Sequence, residues 1–221
     1  MNTIATITTI AAAAFTASAS VTPFTETFAN DASNWTSGDN SALSWVSSGA
    51  LDGSSYASST LDLNAAGPFG LTLLRGQANT NASNGAFVGN YLESNITTVS
   101  FDFRHNAGVD LGIALRVASP FNFPAFAVEL PDTVASGEWV TLSFDLYFGN
   151  PLITIEGAPT PMAFNEIMEN VGNLQISADR PDGLTTPLVA DFDIDNVSIV
   201  PAPSAAAMLG LMGLTATRRR R

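Results

Sequence analysis

The chain has 221 residues, no Cys, no Lys and a formal charge of −12, with 46% hydrophobic residues and 14 Phe. This composition supports one core of ordinary size and excludes a disordered chain, a disulfide-stapled scaffold, a zinc–thiolate centre and a thiol nucleophile. Four of the eight Arg form the terminal run 218–221, so without that run four Arg stand against twenty acids, a charge of −16 that repels nucleic acid and anionic lipid surfaces.

Residues 1–19 begin the chain with an apolar stretch over 4–15, too short for a good membrane-spanning helix. Ala17-Ser18-Ala19 then offers small side chains at the positions a signal peptidase reads. The segment is read as a cleavable signal helix, cut after Ala19.

Residues 20–199 are expected to form a single domain. Short strands are expected at 24–28, 43–46, 56–63 and 69–74. Period-two alternation is clearest in the middle of the chain. Val99, Phe101 and Phe103 alternate with Ser100, Asp102 and Arg104, and Leu111, Ile113, Leu115 and Val117 alternate with Gly112, Ala114 and Arg116. Further strands are expected at 125–130, 140–148, 152–155, 174–178 and 189–200, with one short helix at 164–171. Strands with one apolar and one polar face imply antiparallel sheets around a shared core. The expected fold is all-β: a two-sheet antiparallel β-sandwich, a jelly roll, with a single closed barrel as the alternative. In the last strand the apolar face passes from Phe192 and Ile194 to Val197 and Ile199, out of phase, which a β-bulge at Asp195-Asn196 would restore.

Residues 200–221 read VPAPSAAAMLGLMGLTATRRRR. Pro201 and Pro203 are expected to stop the preceding strand. The apolar run 205–216 would span roughly 18 Å as a helix, against a hydrocarbon core of about 30 Å. Arg218, Arg219, Arg220 and Arg221 then hold the chain end on the cytoplasmic side.

This tail resembles the PEP-CTERM sorting signal cut by exosortases in exopolysaccharide-producing bacteria. The matching positions are Pro201-Ala202-Pro203, the Leu/Gly-rich run 209–214 and the terminal Arg run, with Ala202 standing where the family usually has Glu. The resemblance implies export, transient inner-membrane anchoring through the tail, and a final place at the cell surface or in an extracellular matrix. Its implied partners are a signal peptidase and an exosortase-type sorting enzyme, with extracellular polysaccharide as a further partner. The middle of the chain is similar to carbohydrate-binding modules and lectin-like jelly rolls, through its opening strand at 24–28, the Trp35 and Trp45 region, Glu138-Trp139 and the closing 193–197 segment.

Three groups of residues are candidates for chemistry. Calcium is the expected cofactor, because the acid excess supplies the oxygen ligands that a hard cation needs. In similar jelly rolls a calcium ion ties the first strand to the last, which singles out Glu26, Asp193 and Asp195; the alternative is that these acids are solvated. A sugar platform is expected from Trp139, Tyr147 and Asp145, on the face of their strand opposite Phe144 and Leu146; the alternative is cross-strand pairing without a ligand. His105 is the sole His, placed beside the turn at 106–108, and is expected to be inert. The reading is a non-catalytic matrix or glycan-binding protein. A secreted glycoside-active enzyme using two carboxylates, and a purely structural matrix protein, are the alternatives.

Overall fold

The computed structural model describes residues 19–65 and 70–202. The expected signal helix with Ala17, and the tail with Pro203 and Arg218 to Arg221, lie outside the described residues. Among the described residues no helix is long and apolar enough to cross a membrane.

The domain is a two-sheet antiparallel β-sandwich, with twelve strands among the described residues. In chain order these are β1 (Phe24–Glu26), β2 (Thr36–Ser37), β3 (Ser44–Val46), β4 (Tyr56–Asp62), β5 (Leu71–Gln77), β6 (Ile96–His105), β7 (Leu111–Ala118), β8 (Ala125–Val134), β9 (Val140–Asp145), β10 (Ile153–Ile155), β11 (Asn173–Ala178) and β12 (Val189–Pro201). The helix α1 (Pro161–Glu169) starts three residues earlier than expected, because Thr160 caps it by accepting from the Ala163 amide and Pro161 fits the first turn. One sheet has the order β3-β4-β12-β6-β9, with β1 also pairing β12; the other has the order β10-β8-β7-β11-β5-β2.

The alternating side chains meet between the sheets. Phe101, Phe103, Phe144 and Phe192 from the first sheet, and Leu74, Leu115, Phe126 and Ile176 from the second, are all buried. Phe101 stacks on Phe144 with ring centroids 5.3 Å apart. Val140 and Leu142 of β9 are only partly covered, because β9 is an edge strand. At one end of the core Trp35 is fully enclosed, edge-on to Phe28 and Phe87, with its Nε1 donating to Ser83 Oγ at 2.9 Å. A Cβ on Gly76 would lie 2.7 Å from the Trp35 ring, so the strand passing beneath needs a glycine there.

The expected bulge is present in β12. Its pairing with β6 shifts register between Asp195 and Ser198, and Asn196 takes a left-handed φ of 51°. As expected, β12 stops at Pro201, which is its last residue and still pairs with Ile96. Ala202 donates its amide to Asn95 O on the β6 side, so the Pro201 nitrogen faces the other way, beyond the end of β1, where no strand seeks a donor.

Phe144→Ala is expected to cost about 3–5 kcal/mol. Chemical denaturation of residues 20–202 measures this directly; a cost below about 1 kcal/mol would be incompatible with Phe144 at the centre of the core.

Candidate functional site: a polar groove on the second sheet

The outer faces of the two sheets differ. On the first sheet the polar side chains are used against one another. Arg104, opposite Asp193 in register, donates to Asp193 Oδ2 from Nε at 2.9 Å and from Nη2 at 2.6 Å. Its guanidinium lies 4.8 Å from the Trp139 ring and 5.3 Å from the Tyr56 ring. Trp139 in turn donates Nε1 to Gly49 O, pinning the loop between β3 and β4. Trp139 precedes β9 and Tyr147 follows it, so the two rings stand about 25 Å apart along an extended chain. The expected platform of Trp139, Tyr147 and Asp145 is therefore not assembled: Asp145 closes β9 by accepting from Thr98, and Tyr147 is exposed in the loop beyond.

The expected calcium ligands do not converge either. Among the described residues no three His, Asp or Glu side chains gather as a metal ion requires. Asp193 is held by Arg104, and Glu26 Oε1 accepts the Phe28 amide at 2.9 Å, inside its own turn. Asp195 is fully buried at the bulge; its Oδ2 accepts from Ser54 Oγ at 2.8 Å, and its Oδ1 has no partner. Burial raises its pKa above the ordinary carboxylate value, and the Asp52 and Asp102 charges add to the rise. Ser54 and the Asn196 amide act in the opposite direction.

His105 lies beside the turn, as expected, but on a strand rather than in a loop. It ends β6, is buried, shares a hydrogen bond with Val134 O at 3.0 Å, and has its pKa lowered by that burial. A neutral, enclosed imidazole has no access to substrate.

The second sheet is open. A groove of about 710 Å3 lies across its outer face, with Thr72, Arg75, Arg116, Gln175, Glu129 and Asp179 among its lining side chains. The register explains the row at its centre: Arg75 is opposite Gln175, Gln175 opposite Arg116, Arg116 opposite Ala127 and Ala127 opposite Thr154. One step along the strands, Thr72, Ser177, Ala114 and Glu129 form a second row. Ala127 and Thr154 at the end of the first row, and Thr72, Ser177 and Ala114 in the second, are short and leave the groove open beside the long polar side chains.

The two guanidiniums have different roles. All five N–H groups of Arg116 are taken: Nε and Nη2 by the Glu156 carboxylate at 2.5 and 2.8 Å, Nη1 by Asn122 Oδ1 and Gln175 Oε1, and Nη2 also by Asn122 O. Arg75 makes one such bond among the described residues, from Nη1 to Asn40 Oδ1 at 3.1 Å, and its buried Nε has none. Burial first, and then the neighbouring Arg116 charge, lowers its pKa, although a guanidinium stays charged in a protein. Sequence reading placed Arg116 on a polar strand face but had no signal to join it to Arg75 and Gln175, which come from strands far apart in the chain.

No protein-family model matches the chain, and no characterised protein matches it in sequence. Several solved structures resemble the chain in three dimensions at low sequence identity. One is Clostridium thermocellum endo-1,4-β-D-xylanase 10B, solved as its CBM22-1 and GH10 modules with xylohexaose: 16% identity, TM-score 0.48, covering 81% of this chain and 28% of that one. Another is the family 11 carbohydrate-binding module of the C. thermocellum cellulase Lic26A-Cel5E: 12% identity, TM-score 0.45, covering 83% and 97%. A third is the L4b domain of human laminin α-2: 10% identity, TM-score 0.41, covering 66% and 98%. The chain thus spans just over a quarter of the xylanase it matches. These likenesses concern the sandwich and carry no ligand with them.

Asp195 generates a test with a definite sign. Its folded-state pKa is raised, so its ionisation costs stability, and the cost grows as pH rises from about 3.8 through the folded value. Asp195→Asn is therefore expected to raise the melting temperature at pH 7 by about 2–4 °C, with the gain vanishing in acid below the unfolded value. Calorimetry in chelator and in millimolar calcium is expected to give the same gain. A calcium-dependent stabilisation of the parent chain that is lost in Asp195→Asn would instead make Asp195 a cation ligand.

Proposed function

We propose that this chain is an exported, non-catalytic glycan-binding β-sandwich whose ligand, a neutral polysaccharide, lies in the groove of the second sheet. The observation that carries the reading is Arg75: a guanidinium with unspent donors, on the floor of an open groove that also presents hydroxyls and carboxylates. Sugar hydroxyls both donate and accept, and they suit a lining of mixed sign. A polyanion meets Glu129 and Asp179 in the groove and the strongly negative field of the whole chain.

A glycoside-active enzyme is the weaker reading. It needs two carboxylates about 5–9.5 Å apart across the scissile bond. Glu156 is committed to Arg116, and the backbone positions of Glu129 and Glu156 are four residues apart along the β8–β10 pair, roughly 13 Å. A purely structural matrix role corresponds to a groove that binds nothing.

Affinity electrophoresis in gels containing soluble mixed-linkage β-glucan, xyloglucan, arabinoxylan or alginate tests the reading. Retardation by at least one neutral polymer and none by alginate is expected. Arg75→Ala is expected to weaken binding about tenfold, and Ala127→Trp, which fills the groove from its floor, to abolish it; both are expected to melt within a few degrees of the parent. Retardation by none of the neutral polymers overturns the proposal.

Export is the second half of the proposal and rests on the resemblance of the two chain ends. Mass spectrometry of the protein recovered outside the native cell is expected to find Ser20 at the start and an end near Pro203. An intact Arg221 on that material would overturn sorting by an exosortase-type enzyme.

A further inference from the structure

Among the described residues no aromatic side chain lines the groove, yet two Phe flank one of its lining residues. Phe121 and Phe123 are 92% and 61% exposed, and Asn122 between them lines the groove. A large apolar ring in water is ordinary when single and unanchored. These two are neither. The loop joining β7 to β8 is held at successive backbone atoms. Asn173 Nδ2 donates to Ser119 O at 2.6 Å, Arg116 Nη2 to Asn122 O at 2.8 Å, and Ser119 Oγ to Phe123 O at 2.6 Å. The Ser119 amide donates to Pro124 O, and the Asn122 amide to Ser119 O. Asn122 takes a left-handed φ of 66°, and its Oδ1 accepts from both Arg116 and Gln175. The polar network that fills the groove floor is the same network that fixes the loop.

We propose that Phe121 and Phe123 form an apolar stacking subsite for a sugar ring of the glycan that occupies the groove, with Arg116 as the positioning residue that locks this subsite to the groove floor. The inference rests on the groove-binding reading above and extends it from hydrogen bonding to stacking. The loop is continuous with the groove through Asn122, which stands between Phe121 and Phe123 and lines the groove, so the groove's glycan is the occupant nearest to hand. A pyranose ring presents an apolar face of axial C–H groups beside its hydroxyls, and an aromatic ring covers that face while the hydroxyls stay wet. A loop already fixed in place loses little conformational entropy on binding.

The test uses residues 20–202 and the same three neutral polymers. The double variant Phe121→Ala/Phe123→Ala is expected to bind at least about tenfold more weakly than the parent with an unchanged melting temperature, since neither ring is packed in the core. Phe123→Trp is expected to retain binding, and Phe123→Leu, which keeps apolar area but loses the flat face, to behave as Phe123→Ala. Full binding by the double variant, with Ala127→Trp still inactive, overturns the stacking subsite and leaves the groove reading intact. Absence of retardation of the parent by all three polymers overturns both. Glycan binding unchanged in the double variant, with loss of self-association in sedimentation or of partition onto neutral lipid vesicles, assigns the rings to a second copy or to a lipid surface and also overturns the proposal.

Discussion

The sandwich depends on one constraint in β12. This strand must keep its apolar side chains on the core while changing partners along one edge. Residues 189–194 pair with β4, and residues 197–199 pair with β1, while β6 runs along the other edge from Phe192 to Pro201. A regular strand that passed from one partner to the next would turn Val197 and Ile199 outward. The extra residue at the bulge corrects the phase, so that Phe192, Ile194, Val197 and Ile199 are all buried. Asn196 makes the correction possible, because its short amide tolerates the left-handed backbone and donates to Asp102 Oδ2 at 2.9 Å. The cost falls on Asp195, which the same kink buries with one oxygen unpartnered.

The contrast between the outer faces follows from how each sheet satisfies its polar groups. On the first sheet each long polar side chain meets a complement across a strand: Arg104 meets Asp193 and two aromatic rings, and Asp191 meets Thr60 and Asn106. Little is left over for a ligand. On the second sheet the row Arg75–Gln175–Arg116 ends in Ala127 and Thr154, and the next row sets Thr72, Ser177 and Ala114 before Glu129, leaving space that these short side chains do not fill. Arg116 satisfies every donor it has and builds the floor, while Arg75, two strands away, keeps most of its donors. Identical residue types thus divide into scaffold and contact by their neighbours alone.

The strands were legible because burial on one face imposes a period of two, and the bulge was legible because that period breaks at Asp195. The two-residue strand β2 carries too few alternations to be seen, and the burial of Trp35 depends on Gly76 passing beneath it from another strand. The acids of β12 and the aromatic residues around β9 showed the right chemistry for a ligand, but alternation does not say what lies opposite. Asp193 found Arg104, and Trp139 found Gly49 O and Tyr56. The exposure of Phe121 and Phe123 was not legible, since no periodicity marks a loop.

Sequence alone determined which side of each strand faces inward, and therefore the all-β sandwich, because hydrophobic burial acts residue by residue along the chain. Tertiary structure decided which polar face stays open, which guanidinium is spent, and that two Phe rings stand in water on a pinned loop. Those outcomes depend on cross-strand rows such as Arg75–Gln175–Arg116, whose members are brought together by strand order, and strand order is not written in the alternation of any single strand.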